Sequence, residues 1–365
     1  MAAVNSKYCC ISVQQMLDEI AGANTPNQKI LDTYGFMMAV NSDANLNGTD
    51  AIATKSAEGK ARPTATSNRR VEIEYSVRQC EAVSRTPTSF CTTRADAADD
   101  KLYESATVDL YAEATWGLNK EEFRDLCENP NDRQRRLFAN KVNDLKKDIN
   151  EQLVTAFIAG LGNYFTEAGG VPVDSAAAPK TLNLFNTNAT PNAMGLFPVF
   201  RDFTRSRWSG RPIAVGGTSL DAWRFASGIF NGNLDGLDIN KQPLMMDIFS
   251  DYQVDPIFAD GDEHLLTFAP GTVKMLEWDA YPEGSIYREM KEDYSKMTMM
   301  VDGMSLDFEV RYDECNSRWD FKLSKYFDLW KTPDTAFNTA CGQYSNGCLN
   351  WLIDCAALDC NVIKL

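Results

Sequence analysis

The stretch PNDRQRRLFANKVNDLKKDINEQLVTAFIA, residues 130–159, decides how the rest of the chain is read. Asn129 is placed to cap a helix, and Asp132 puts negative charge in the first turn. Pro130 suits the first helical position, where its missing N–H would have no partner in any case. Phe138, Val142, Leu145, Ile149, Leu153, Val154, Phe157 and Ile158 recur three or four apart and form one continuous apolar stripe. Arg135, Asn140, Lys146, Lys147 and Glu151 make the polar face, and Gly160 and Gly162 end the helix. At helical rise this is a rod of about 45 Å, against a usual ~11–12 residues. A bundle or coiled coil would need partner helices of equal length, and the chain has none. The expectation is an α+β protein in which the rod lies across a sheet as a spine.

Upstream of the rod, two segments alternate without a fault. Val71, Ile73, Tyr75 and Val77 oppose Arg70, Glu72, Glu74, Ser76 and Arg78. Val108, Leu110, Ala112, Ala114 and Trp116 oppose Thr107, Asp109, Tyr111, Glu113 and Thr115. Period-two alternation predicts strands with one buried face. The polar residues 81–103 between them predict the tip of a long two-stranded hairpin. A hairpin by itself is marginal in water, so this one must lie on its own domain or on a neighbouring subunit. A short helix over 120–127 follows, with Asn119 and Glu122 as a capping box. Further upstream, residues 12–21 read as an amphipathic helix opened by Ser12 and Gln15, and residues 41–68 as a polar arm with little to bury.

Downstream, residues 166–198 are an Ala-, Pro- and Asn-rich connection, and a second lobe begins around Arg211. Residues 212–215 read as a short strand. Gly216, Gly217, Thr218 and Ser219 then lead into a helix carrying Leu220, Trp223 and Ala226. The glycine pair lacks the lysine of a phosphate-binding loop and the spaced glycines of a dinucleotide fold, so a tight structural turn is expected. Residues 257–278 read as two strands around turns at Asp260-Gly261 and Pro270-Gly271. Asp260, Asp262, Glu263 and His264 form the one cluster of carboxylates and histidine. Its spacing promises no converging third metal ligand, and a solvated hairpin turn is expected there. Residues 306–312 and 319–327 predict an antiparallel pair closed at 313–317.

With 365 residues the chain exceeds the ~250–300 at which single cores stop growing, so two lobes are expected. No run of apolar residues has the length of a membrane span, and residues 1–15 show no secretory pattern, which predicts a soluble protein made in a cytosol. The net charge of −15 argues against strong binding to phosphate backbones. It suits a protein that stands beside nucleic acid without adhering to it. Of ten cysteines none forms a Cys-x-x-Cys pair. Cys341, Cys348, Cys355 and Cys360 match no common zinc spacing, and buried thiols are expected instead. The sequence also lacks a nucleophile-elbow motif and a His-Glu-x-x-His motif, so no cofactor, metal or catalytic residue is assigned.

An arm, a long hairpin, a spine helix and a second mixed lobe, in that order, resemble the major capsid proteins of tailed bacteriophages of the Hong Kong 97 type. The local sequence agrees. Residues 71–77 and 107–116 are similar to the family's extended loop (E-loop), and residues 118–158 to its spine. Pro212-Ile213-Ala214-Val215-Gly216-Gly217 and Phe268-Ala269-Pro270-Gly271-Thr272-Val273 resemble segments of its axial domain, and residues 312–320 its closing hairpin. The resemblance implies five regions. These are an N-terminal arm (1–68), an extended hairpin loop (69–117), a peripheral domain with the spine helix (118–198), a mainly axial domain (199–300), and closing strands of the peripheral domain with a C-terminal tail (301–365).

The resemblance further implies a non-enzymatic virion protein, assembled in the bacterial cytoplasm as hexamers and pentamers around double-stranded DNA that it does not read by sequence. Portal, a separate scaffolding protein and decoration proteins are the implied partners, without a membrane. An encapsulin-like shell subunit, or a soluble enzyme using the Asp260–His264 cluster, are the alternatives. Cys80 and Cys91 lie nearly symmetrically about Arg85-Thr86-Pro87, and either a disulfide at the loop tip or two packed thiols fits that placement.

Overall fold

The computed structural model describes residues 34–42, 60–61, 69–76, 101–119, 130–159, 180–186, 191–192, 194–205, 211–230, 246–257, 263–291, 294–301, 304–316, 318–332 and 348–353. In chain order, α1 (Gly35–Val40) precedes β1 (Lys60–Ala61), β2 (Arg70–Ser76), β3 (Lys101–Thr107) and β4 (Leu110–Asn119). The long helix α2 (Pro130–Ala159), β5 (Lys180–Leu182) and α3 (Phe197–Arg205) follow. Then come β6 (Ile213–Gly216), α4 (Thr218–Phe230), β7 (Asp247–Ser250), α5 (Val254–Ile257), β8 (Glu263–Phe268) and β9 (Val273–Trp278). The chain closes with β10 (Glu289–Met290), β11 (Tyr294–Val301), β12 (Met304–Asp313), β13 (Arg318–Lys331) and β14 (Cys348–Ile353). The protein is α+β, as expected.

Residues 130–159 form one unbroken helix of 30 residues, and it lies on a seven-stranded sheet as its sequence predicts. That sheet has the order β1-β9-β13-β12-β11-β10, with β4 on the other edge of β13. Phe138, Val142, Leu145, Ile149, Leu153, Val154 and Phe157 are buried against Ala112, Ala114, Phe308, Phe321 and Leu323. Trp116 stacks on Phe321 with ring centroids 5.2 Å apart and meets Phe138 edge-on at 5.9 Å. Lys331 closes the far end of the helix, its Nζ donating to the carbonyls of Ala156 and Phe157 at 3.1 Å each. A cation there satisfies terminal carbonyls and complements the helix dipole. One residue of the predicted polar face departs from the pattern: Lys146 is buried. It lies four residues from Val142 and three from Ile149, on the flank of the stripe, where a lysine stem packs along apolar surface.

The second sheet has five strands in the order β5-β14-β8-β6-β7. Its strands are covered on both faces, and alternation separates the two. Ile213, Val215, Leu266, Phe268 and Cys348 join the core beneath α1 and α2. Ala214, Leu265, Leu349, Trp351 and Ile353 pack instead with Leu220 and Trp223 of α4. The expected pair of lobes is therefore joined: one apolar cluster runs from the seven-stranded sheet into the second sheet. The antiparallel pairing of β12 with β13, from Asp307↔Ser324 to Asp313↔Arg318, is as predicted.

Three strand expectations are corrected. The partner of β2 is β3, running from Arg70↔Thr107 to Ser76↔Lys101, and not residues 107–116. That later segment is β4, which pairs with β13 over ten residues. The cause is that alternation reports which face is buried and says nothing about which strand lies alongside. β8 and β9 are the two strands read over 257–278, and the turn containing Gly271, at φ 75°, carries the chain from the five-stranded sheet to the seven-stranded one. β9 and β11, taken with the second lobe from their place in the chain, belong to the seven-stranded sheet, and β14, taken as tail, belongs to the second. The stretch read as a connection also contributes a strand, β5, parallel to β14. The helices expected at 12–21 and 120–127 lie outside the described residues.

Candidate functional site

The carboxylate–histidine cluster is dispersed into structural bonds. Asp260 and Asp262 lie outside the described residues. Glu263 and His264 open β8, whose neighbours on either side are β6 and β14. Glu263 turns to α4, its Oε2 accepting the Ser219 backbone N–H at 2.9 Å. His264 is buried, with Nδ1 3.1 Å from Asn350 Oδ1. The solvated hairpin turn expected there is corrected at this histidine, because β14 covers it with Asn350. Among the described residues, no group of three or more His, Cys, Asp or Glu side chains is placed to hold a metal ion.

The Gly216–Gly217 turn is structural, as expected. A Cβ at Gly217 would overlap the Asp255 carboxylate, and the first turn of α4 already donates to Glu263. The position a bound phosphate would need is filled by the protein's own acids. Asp255 also accepts the His264 backbone N–H at 3.1 Å. Burial pushes its carboxyl up to about 7, and the nearby charges of Glu263 and Asp251 act in the same direction. A carboxyl raised in the folded state stabilises fully below its unfolded value of about 4 and loses that contribution as pH rises through about 7. Asp255→Asn keeps an acceptor for His264 and removes the charge. It is expected to raise the melting temperature of the subunit at pH 8, with the difference closing by pH 4. A variant that melts below the parent at pH 8 would show that the charge itself is stabilising.

Two polar clusters escaped the sequence reading. Asp251 Oδ2 accepts the Phe36 N–H at 2.8 Å and the Asn150 side-chain amide at 2.9 Å, while Asn150 Oδ1 accepts the Met37 N–H at 3.0 Å. This buried pair fastens α1 to the long helix and to β7. Its one signal in the sequence was an asparagine bordering the apolar stripe, three and four residues before Leu153 and Val154. The second centres on Lys325, fully buried, with Nζ 2.6 Å from Ser305 Oγ, 3.1 Å from Asp279 Oδ1 and 3.4 Å from Glu277 Oε2. It occupies the point where β13 changes partner, from β12 at Ser324 to β9 at Tyr326. Its signal was the break in alternation at Ser324-Lys325.

Cys80 and Cys91 lie outside the described residues. Among those described, Cys315 is exposed and Cys348 is buried, its Sγ 4.0 Å from Thr272 Oγ1. Burial pushes the Cys348 thiol up to about 12, far from the thiolate needed for reactivity.

The remaining feature is the β2–β3 ribbon. It forms a two-stranded sheet separate from the other two, and contacts at its start and middle tie it to the seven-stranded sheet. Ile73 is buried with Val108, Leu276 and Trp330, on the face opposite the long helix. Trp330 Nε1 donates to Glu104 Oε2 at 2.9 Å, and the Arg69 guanidinium lies 4.7 Å from the centre of the Tyr326 ring. No helix among the described residues is long and apolar enough to cross a membrane.

No known family model matches the chain, and no curated protein sequence does. Solved structures do. The chain is similar to one from Mycobacterium phage Che8, at 11% identity and a TM-score of 0.44, over 80% of this chain and 85% of that one. The mature capsid of bacteriophage PhiM1 is matched at 7% identity and a TM-score of 0.43, over 80% and 84%. The capsid of cyanophage Pam1 is matched at 11% identity and a TM-score of 0.43, over 79% and 85%.

Proposed function

We propose that this chain is the major capsid protein of a tailed phage of the Hong Kong 97 type. In this reading it is a non-enzymatic subunit whose hexamers and pentamers close an icosahedral shell around double-stranded DNA. The observation that carries the reading is the ribbon. A two-stranded sheet has too little area to hold itself together, and among the described residues this one meets the rest of the subunit through Ile73, Glu104 and Arg69. Surface from a neighbouring copy would supply the rest. The spine helix across the seven-stranded sheet supports the same reading. The seven-stranded sheet with the spine would be the peripheral domain, and the five-stranded sheet with α4 the axial domain. Portal, scaffolding and decoration proteins are partners of such a shell, which would assemble in the host cytoplasm.

The test is assembly. Purified protein, with a scaffolding protein if required, is expected to form closed megadalton particles visible in micrographs. Subunits that stay monomeric under all assembly conditions would overturn the reading. Replacing residues 77–100, which connect β2 to β3, by a short turn is expected to leave a folded subunit that no longer closes shells. Normal particle yield from that variant would mean that the ribbon serves its own subunit only.

A further inference from the structure

We infer that a hollow on the open face of the seven-stranded sheet receives a carboxylate from a second copy of this chain, with Arg311 as its anchor. The inference rests on the shell reading above and names one of its contacts. The hollow, of about 440 Å³, lies on the face opposite the long helix. One row of its lining runs straight across four strands, Gly117↔Asp320↔Arg311↔Tyr294. Gly117 opens the floor: a Cβ there would stand 3.2 Å from Asp320 Oδ1 and 3.5 Å from Arg318 Cζ.

The cations around this hollow are not equivalent. Arg318 Nε is 2.8 Å from Asp320 Oδ1, and Lys322 Nζ lies 3.4 Å from Glu113 and 3.8 Å from Glu309. Both are held and neutralised within the subunit. Arg311 is exposed, and among the described residues no carboxylate pairs with it. Its cross-strand neighbour, Asp320, is already engaged by Arg318. A guanidinium with no carboxylate partner among the described residues, set in a concave site, is a fork for two carboxylate oxygens.

The charge of the molecule points to the occupant. With 51 acidic and 36 basic residues, two copies repel unless cations of one meet anions of the other. Any approaching copy brings carboxylates in excess. A nucleic-acid phosphate would fit the same fork, but a net charge of −15 opposes a polyanion over the whole surface.

The experiment compares full-length protein with Arg311→Glu and Arg311→Ala, following assembly by light scattering over a range of salt. Both variants are expected to keep the subunit's circular dichroism and melting temperature. Arg311→Glu should raise the protein concentration needed for assembly by about tenfold or more, since it sets like charges opposite one another. Arg311→Ala should raise it less and weaken its salt dependence, and it decides the matter if the glutamate variant fails to fold. Unchanged assembly by both variants, while the parent forms particles, would overturn this contact and leave the shell reading standing. Unchanged assembly with loss of bound nucleic acid would also overturn it, in favour of a phosphate. A parent that never associates would overturn both.

Discussion

Lys325→Met is expected to cost the subunit about 3–5 kcal/mol, because it removes one partner from a buried charge cluster. The methionine nearly matches the stem in length, so the loss falls on the ammonium. That ammonium meets Glu277, Asp279 and Ser305 within 3.4 Å, and the two carboxylates are themselves only 12% and 19% exposed. Without it, two acids and a hydroxyl face one another where β9 and β12 diverge along β13. The cost is one of stranded charge. Adding Glu277→Gln and Asp279→Asn to Lys325→Met should therefore recover much of the stability, since replacing a whole buried ion cluster is often close to neutral. Urea unfolding of the dissociated subunit measures all three variants. A loss below about 1 kcal/mol for Lys325→Met, within the usual range for exposed pairs, would mean that the cluster contributes little.

Leu145→Pro is expected to be at least as damaging. Leu145 is fully buried near the centre of the long helix. Proline there removes the residue's N–H donor and sets its ring against the carbonyl of Lys141, at a cost of about 3 kcal/mol or more before any packing loss. The lost leucine side chain adds its own cavity, about 2–5 kcal/mol in comparable cores. Together these approach the whole stability of a typical domain, so the subunit should be recovered unfolded or aggregated. Lys147→Ala, two residues on and exposed, should change stability by no more than about 0.5 kcal/mol. Circular dichroism and unfolding of both variants check the pair. Equal damage from the two would contradict the burial of the stripe.

What residues alone determined was local and periodic. The limits of the long helix, the alternating segments, the tight glycine turn and the β12–β13 hairpin are all set within a few residues of chain, where spacing and turn chemistry act directly. That the helix must lie on a sheet also followed from sequence, since no second helix could match its length. Tertiary structure decided which strands meet. Residues 107–116 alternate equally well beside β2 or beside β13, and only the bend between Thr107 and Leu110, with Val108 buried under Trp330, sends them to β13. Position in the chain likewise misled for β9 and β14, because strands close in sequence separate into different sheets, and β14 pairs with β8 across some eighty residues. His264 shows the same limit at a candidate site. Its neighbours in sequence are acids, yet its side-chain partner is Asn350. Lys325 is the sharpest case: a lysine in a strand reads as solvated, and only the parting of β12 from β9 around it makes that charge a buried necessity. A period in the sequence reports the burial of one face, whereas partners and buried charges depend on contacts between distant segments that no local pattern encodes.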